Sequence, residues 1–194
     1  MTETARRPAN LPRVEPCSLP EVLLIAPLKH ADARGTFSEV YSEAAFREVG
    51  VNCHFVQDNQ SLSVHQGTVR GLHFQIPPFA QAKLVRVLRG AIFDVAVDIR
   101  SGSATYGRFA AATLSAENGH QFYVPAGFAH GFCTLQPGTE VLYKVDAPYS
   151  REHERGLAWN DPEVGISWPQ AIDASTLLER DRQYPSLRGL PAFF

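Results

Sequence analysis

Apolar positions along this chain fall into short runs separated by turn residues, and few of the runs carry a helical period. Val22-Leu-Leu-Ile-Ala26 reads as a buried strand, and Arg34-Gly-Thr-Phe-Ser-Glu-Val-Tyr41 alternates in strand fashion after an Asp/Gly turn. The best helical segment is Ser42 to Val49, with Ser42 as N-cap and Glu43 in the first turn. From Cys53 onward the pattern predicts strands at 54–61, 67–75, 83–88, 91–100, 108–114, 120–124, 131–135 and 140–145. Pro77-Pro78, Arg89-Gly90, Ser101-Gly102-Ser103, Asn118-Gly119 and Pro137-Gly138 separate most of them. Regular spacing with little helix implies an antiparallel sandwich or barrel. In Phe93-Asp-Val-Ala-Val-Asp-Ile99 the alternation puts Asp94 and Asp98 off the apolar face. The tail after Trp168 reads as coil with a helical turn at Leu177 to Asp181. Pro8, Pro12, Pro16 and Pro20 make residues 1–20 an irregular arm, and residues 21–194 are expected to form a single domain.

Composition narrows the function only by exclusion. A chain of 194 residues with 44% hydrophobic and 20% charged residues can bury a full core. A formal net charge of −2 favours neither nucleic acid nor an anionic membrane, so an anionic ligand needs a local Arg/Lys cluster. Cys17, Cys53 and Cys133 form no CxxC pair, and Cys133, beside Phe132, reads as core. The N-terminus shows no secretory pattern, and the apolar run from Val22 to Leu28 is too short to span a bilayer. A cytoplasmic protein is expected.

One stretch is more specific. Gly119-His-Gln-Phe-Tyr-Val-Pro125-Ala-Gly127-Phe-Ala-His130 encodes a strand, a tight turn and a return strand whose His faces inward. It resembles the second box of the cupin barrels, and Gly67-Thr-Val-Arg-Gly-Leu-His73 stands where the first box belongs. A metal-binding cupin has His-x-His and a nearby Glu there, whereas this chain has His73-Phe74-Gln75 followed by Ile, Pro, Pro, Phe, Ala, Gln and Ala. Two inward histidines without that ligand set suit acid–base chemistry better than metal ligation. Arg70 and His73 lie three apart and would face opposite ways in a regular strand; a bulge at Gly71 would turn both into one cavity. Taken alone, a strand histidine is more often core, Lys83 at a strand start more often reaches solvent, and strand tyrosines such as Tyr143 more often pack. Asp181 in Glu179-Arg-Asp-Arg182 reads, by itself, as a charged helix face.

Taken together, these segments resemble the dTDP-4-dehydrorhamnose 3,5-epimerase family from about Leu23 to Leu187. They are Arg34-Gly-Thr-Phe-Ser-Glu39, Gln57-Asp-Asn59, Arg70-Gly-Leu-His-Phe-Gln75, Lys83-Leu-Val-Arg-Val87, Phe93 to Arg100, Leu114-Ser-Ala-Glu-Asn118, Pro125 to Phe132, Leu142-Tyr-Lys144, and His153-Glu-Arg-Gly156 with Trp159-Asn-Asp-Pro162. The resemblance implies an all-β, cupin-like jelly-roll barrel with short peripheral helices. It implies no metal and no cofactor, and a homodimer with an exchanged N-terminal strand acting on a dTDP-linked 4-keto-6-deoxyhexose. By resemblance His73 is the base, Asp181 its orienting carboxylate, Lys83 the enolate stabiliser and Tyr143 the acid on the opposite face. His130 lines the sugar pocket, Arg70 contacts the diphosphate, and Tyr149 stacks on the thymine. Gln57, Asp58, Asn59, Glu154 and Arg180 complete the substrate site, with Arg34 and Glu39 supplied by the partner subunit. Phe74, Ala82 and Arg180 stand where Tyr, Gly and Lys are frequent. A relative inverting only one carbon, a non-catalytic sugar-nucleotide binding module and a metal-dependent cupin oxygenase or isomerase are the alternative readings, and the missing second His and Glu of the first box argue against the last.

Overall fold

A computed structural model describes residues 11–169 and 172–194. The chain runs through β1 (Arg13–Glu15), β2 (Leu23–Ala26), β3 (His30–Asp32), β4 (Gly35–Phe37), α1 (Glu43–Glu48), β5 (Gln57–Ser63), β6 (Val69–Gln75) and β7 (Lys83–Arg89). It continues through β8 (Ala91–Asp98), β9 (Phe109–Ser115), β10 (Gln121–Val124), β11 (Phe128–Thr134), β12 (Thr139–Val145), β13 (Glu154–Gly156) and α2 (Glu179–Arg182). Two antiparallel sheets, ordered β1-β2-β10-β7-β12-β5 and β13-β6-β11-β8-β9, form the cupin-like jelly roll; β3 and β4 make a separate hairpin.

The strand expectations hold with boundaries moved by a few residues. The strand expected at 54–61 is Gln57–Ser63, the one expected at 131–135 begins at Phe128, and β4 ends at Phe37 rather than continuing to Tyr41. Within the segment expected to be irregular, Arg13–Glu15 pairs with Ala26–Leu24, because the edge of β2 offers unpaired backbone groups to whatever extended chain lies beside it. Residues 1–10 of that arm lie outside the described residues. Ser42 is the N-cap of α1 as expected, but its side chain makes no capping bond.

Three apolar layers explain why the strands hold. Between the sheets, Val85, Val87, Ile92, Leu114, Phe122, Phe128, Phe132 and Val141 form the barrel core. Outside the five-stranded sheet, Val95, Val97, Phe74 and Leu72 are covered by Val164, Leu187, Phe193 and Phe194 of the C-terminal segment. Outside the six-stranded sheet, Phe46 of α1 and Val51 cover Ile25, Leu84 and Tyr123. Cys133 is fully buried, as expected.

This layering corrects the reading of β8. Asp94 and Asp98 do lie opposite Val95 and Val97, but that side is the barrel interior at Asp94 and a polar knot at Asp98, and both carboxylates are fully buried. Asp98 accepts hydrogen bonds from Arg100, Ser103 and Thr105, which hold its carboxyl well below the usual range despite burial.

Candidate active site

The boxes do what their spacing requires. β10 and β11 are joined through Pro125-Ala-Gly127, and His130 is turned into the barrel and buried. On the neighbouring strand His73 is its direct cross-strand partner. Two residues further along β11, Phe132 pairs with Arg70, so three steps on β6 match two on β11. The extra residue is the expected bulge, and Arg70 and His73 both line one cavity. Gly71 permits it: its φ is +133°, and a Cβ there would come within 2.6 Å of Gly131 Cα and 2.8 Å of the His130 carbonyl.

That cavity has a volume of about 350 Å³ and takes walls from both sheets. β6, β11 and β13 contribute Arg70, His73, His130 and Glu154; β7 and β12, on the facing sheet, contribute Lys83 and Tyr143; the C-terminal segment closes it with Arg180 and Asp181. A side cleft shares His73, Lys83, Tyr143, Tyr149 and Glu154 and adds Gln57, Asn59, Gln75 and Gln81.

Asp181 is not the exposed helix-face residue its local sequence suggests. Its side chain is 2% exposed, and its Oδ1 lies 2.9 Å from His73 Nε2. An ionised carboxylate only accepts, so in this contact Nε2–H of His73 is the donor. His130 Nε2 lies 2.6 Å from Asp94 Oδ1, and among the described residues the second oxygen of Asp94 is buried without a hydrogen-bond partner. Burial holds the His130 imidazole below its ordinary pKa even though Asp94 opposes the shift.

Lys83 is buried, with Nζ 3.3 Å from the His73 carbonyl. Burial pushes its pKa down to about 8, against the pull of Asp94 and Glu154. Burial also raises Tyr143, which Arg70 partly offsets. Arg70 is braced by Ser63 Oγ at 3.0 Å and the Leu62 carbonyl at 3.1 Å. At the mouth, Glu154 accepts from the Tyr149 hydroxyl at 2.9 Å and from Arg180 at 2.8 Å. Gln75, in the first box, is taken up by the loops: it donates to the Phe79 and Pro148 carbonyls and accepts from Ser150 N–H.

Three expected site residues are not gathered here. Asp58 points to the other side of β5, where its carboxylate pairs with Lys144 at 2.9 Å; only Gln57 and Asn59, which hydrogen-bond to each other, face the cleft. Arg34 and Glu39 are exposed, and Arg34 pairs with Asp32 of its own hairpin. Asp94 was missed, since a strand carboxylate facing a buried His looks in sequence like any polar residue of an alternating strand.

A jelly-roll barrel in which a His–carboxylate pair, a buried lysine and a tyrosine converge on one cavity has the groups that acid–base chemistry needs. The family described as dTDP-4-dehydrorhamnose 3,5-epimerase matches residues 16–189, and the chain belongs to that family. It is 58% identical over 177 residues to the dTDP-4-dehydrorhamnose 3,5-epimerase of Sinorhizobium fredii, covering 91% of this chain and 90% of that one. The Legionella pneumophila dTDP-6-deoxy-D-glucose-3,5-epimerase, solved with dTDP-4-keto-L-rhamnose, superposes with a TM-score of 0.87 at 38% identity, covering 93% of this chain and 95% of its own. ChmJ, a 3'-monoepimerase from Streptomyces bikiniensis solved with dTDP-quinovose, gives 0.82 at 33% identity, covering 89% and 87%. No described helix is long and apolar enough to cross a membrane.

Proposed function

We propose that this protein inverts C3 and C5 of dTDP-4-dehydro-6-deoxy-D-glucose, giving dTDP-4-dehydro-L-rhamnose. The observation that carries the reading is that His73 and Tyr143 enter one cavity from facing sheets. The C4 ketone acidifies the hydrogens on C3 and C5. His73, with Nε2–H held by Asp181, takes one of them at Nδ1 and becomes an imidazolium beside a carboxylate. The electron pair moves to the C4 oxygen, where the ammonium of Lys83 stabilises the enolate. Tyr143 returns a proton to carbon from the opposite side, which inverts the centre. The phenolate is then reprotonated and His73 gives up its proton before the second carbon reacts.

Arg70 and Arg180 are the charges suited to a diphosphate, and Tyr149, 54% exposed at the mouth, is suited to stack on the thymine. His130, Gln57, Asn59 and Glu154 line the remaining walls. The reading includes a homodimer in which β3, β4 and the following residues exchange. Among the described residues Arg34 pairs with Asp32 of its own hairpin and Phe37 is 71% exposed, and both side chains are free to meet a second copy of the chain. Residues 21–194 act as one domain, and three unpaired cysteines suit a cytoplasmic setting.

The similarity to ChmJ favours a second reading, inversion of one carbon only. Proton NMR of dTDP-4-keto-6-deoxyglucose with the enzyme in heavy water separates the two. Loss of both the C3 and C5 signals is the expected result. Loss of one makes the protein a mono-epimerase, and binding without exchange removes the catalytic reading.

A further inference from the structure

Behind the base lies a ring that the chemistry above does not use. Tyr184, three residues beyond Asp181, stands edge-on to His73, with ring centroids 5.7 Å apart and planes 78° from parallel. It is not among the residues lining the central cavity or its side cleft. Its ring occupies the space over Gly156, where an added Cβ would overlap Cγ, Cδ2 and Cε2 of the tyrosine. Gly156 is the cross-strand partner of His73 in the β13–β6 pair. The residue beside the base therefore lacks a side chain, and Tyr184 fills that place. The following backbone is pinned: Ala158 N–H donates to the Pro185 carbonyl at 2.9 Å, and Leu187 N–H donates to buried Asp161 at 2.7 Å.

We propose that Tyr184, seated on Gly156, is a positioning residue that keeps the His73 imidazole aligned on Asp181 and keeps water off their hydrogen bond. The proposal rests on His73 acting as the base. An imidazole rotates broadly about χ2, and one hydrogen bond on the rim of an open cavity does not by itself fix its plane. The cavity side of His73 must stay clear for the sugar, so the restraint has to come from behind, where Tyr184 stands.

The test combines a spectroscopic readout with kinetics. The His73 Nε2–H held by Asp181 should give a far-downfield proton resonance in the free wild-type enzyme, assigned by its loss in Asp181→Asn. Tyr184→Ala should lose that resonance to water exchange, with kcat falling roughly ten- to hundredfold and KM changing less than about twofold, because a displaced base impairs chemistry more than binding. Tyr184→Phe should restore both. Gly156→Ala, which evicts the ring without touching it chemically, should reproduce the Tyr184→Ala pattern. If Tyr184→Ala does not fold, Tyr184→Leu keeps apolar cover without a planar edge, and wild-type resonance and kcat in that variant would overturn the proposal. So would a folded Tyr184→Ala that keeps both. Because the resonance needs no turnover, a failure of this proposal is distinguishable from a failure of His73 as base, which would appear as retained turnover in His73→Ala.

Discussion

Two histidine–aspartate pairs sit side by side across β6 and β11, and they differ in exposure and in where the carboxylate comes from. His73 is 22% exposed and lines the open cavity, and its carboxylate comes from the C-terminal helical turn. His130 is 8% exposed, its carboxylate comes from the adjacent strand β8, and burial favours its neutral form. On the proposed reading, the same pair of side chains is a proton acceptor where solvent reaches it and a buried polar wall of the same cavity where it does not. Identity of chemistry does not assign function; access and the source of the carboxylate do.

The sharpest break of this comparison is to truncate each histidine. His73→Asn should reduce epimerisation by at least about a thousandfold while costing little stability, because buried Asp181 keeps Arg180 Nε at 3.5 Å as a second partner. His130→Asn should do the reverse, keeping kcat within about tenfold but lowering stability by about 3 kcal/mol, since Asp94 would be left as a buried carboxylate without its partner. Turnover and melting temperature measured on both variants check this, and equal losses of turnover would erase the distinction. Next in size is Tyr143→Phe. Deuterium exchange at the substrate carbons should survive in part while inversion falls roughly a hundredfold, because removal of the proton does not need the phenol and its delivery to the opposite face does.

Lys83 links the two pairs, since it sits beside the His73 carbonyl and within the field of Asp94. As an enolate stabiliser it must be charged, so kcat/KM should fall as pH rises through about 8. The stability consequence has the opposite sense. Its folded pKa lies below the ordinary 10.5, so the unfolded chain holds more protons between about 8 and 10.5, and stability rises with pH across that window. The destabilisation by the buried ammonium is fully present below about pH 8. Lys83→Met should therefore abolish turnover and stabilise the fold at neutral pH by about 1–3 kcal/mol, the smaller value applying if the His73 carbonyl is left without a donor. A less stable Lys83→Met in thermal melts would show that the ammonium is better paired than its burial implies.

Much of the barrel is legible because its turns carry Gly, Pro and Asn and its boxes fix the inward histidines by spacing. The Arg70–His73 arrangement is legible because Gly71 stands where a bulge would be needed. Asp94 is not, because period-two alternation tells which residues share a face and not what covers it; β8 is buried on both sides. Asp181 becomes legible only by resemblance, since its partner lies 108 residues away and nothing local marks a helix-face carboxylate as buried. The role of Tyr184 depends on the absence of a side chain at Gly156, a relation between distant positions that no local pattern records.

Asp58 gives the smallest and most diagnostic effect. The motif Gln57-Asp-Asn59 carries over as a block, but a strand cannot present three consecutive side chains to one cavity. Gln57 and Asn59 face the cleft, and Asp58 is held outside by Lys144 in an exposed ion pair. Asn59→Ala should raise KM by about tenfold through the loss of a polar contact in the site. Asp58→Ala should change KM by less than about twofold and stability by less than about 1 kcal/mol, the ordinary worth of an exposed pair. Steady-state kinetics on the two variants decides the matter. If Asp58→Ala raises KM as much as Asn59→Ala, the outer face of β5 reaches the nucleotide after all. The route would then run through a second copy of the chain rather than through the barrel that Asp58 helps to wall.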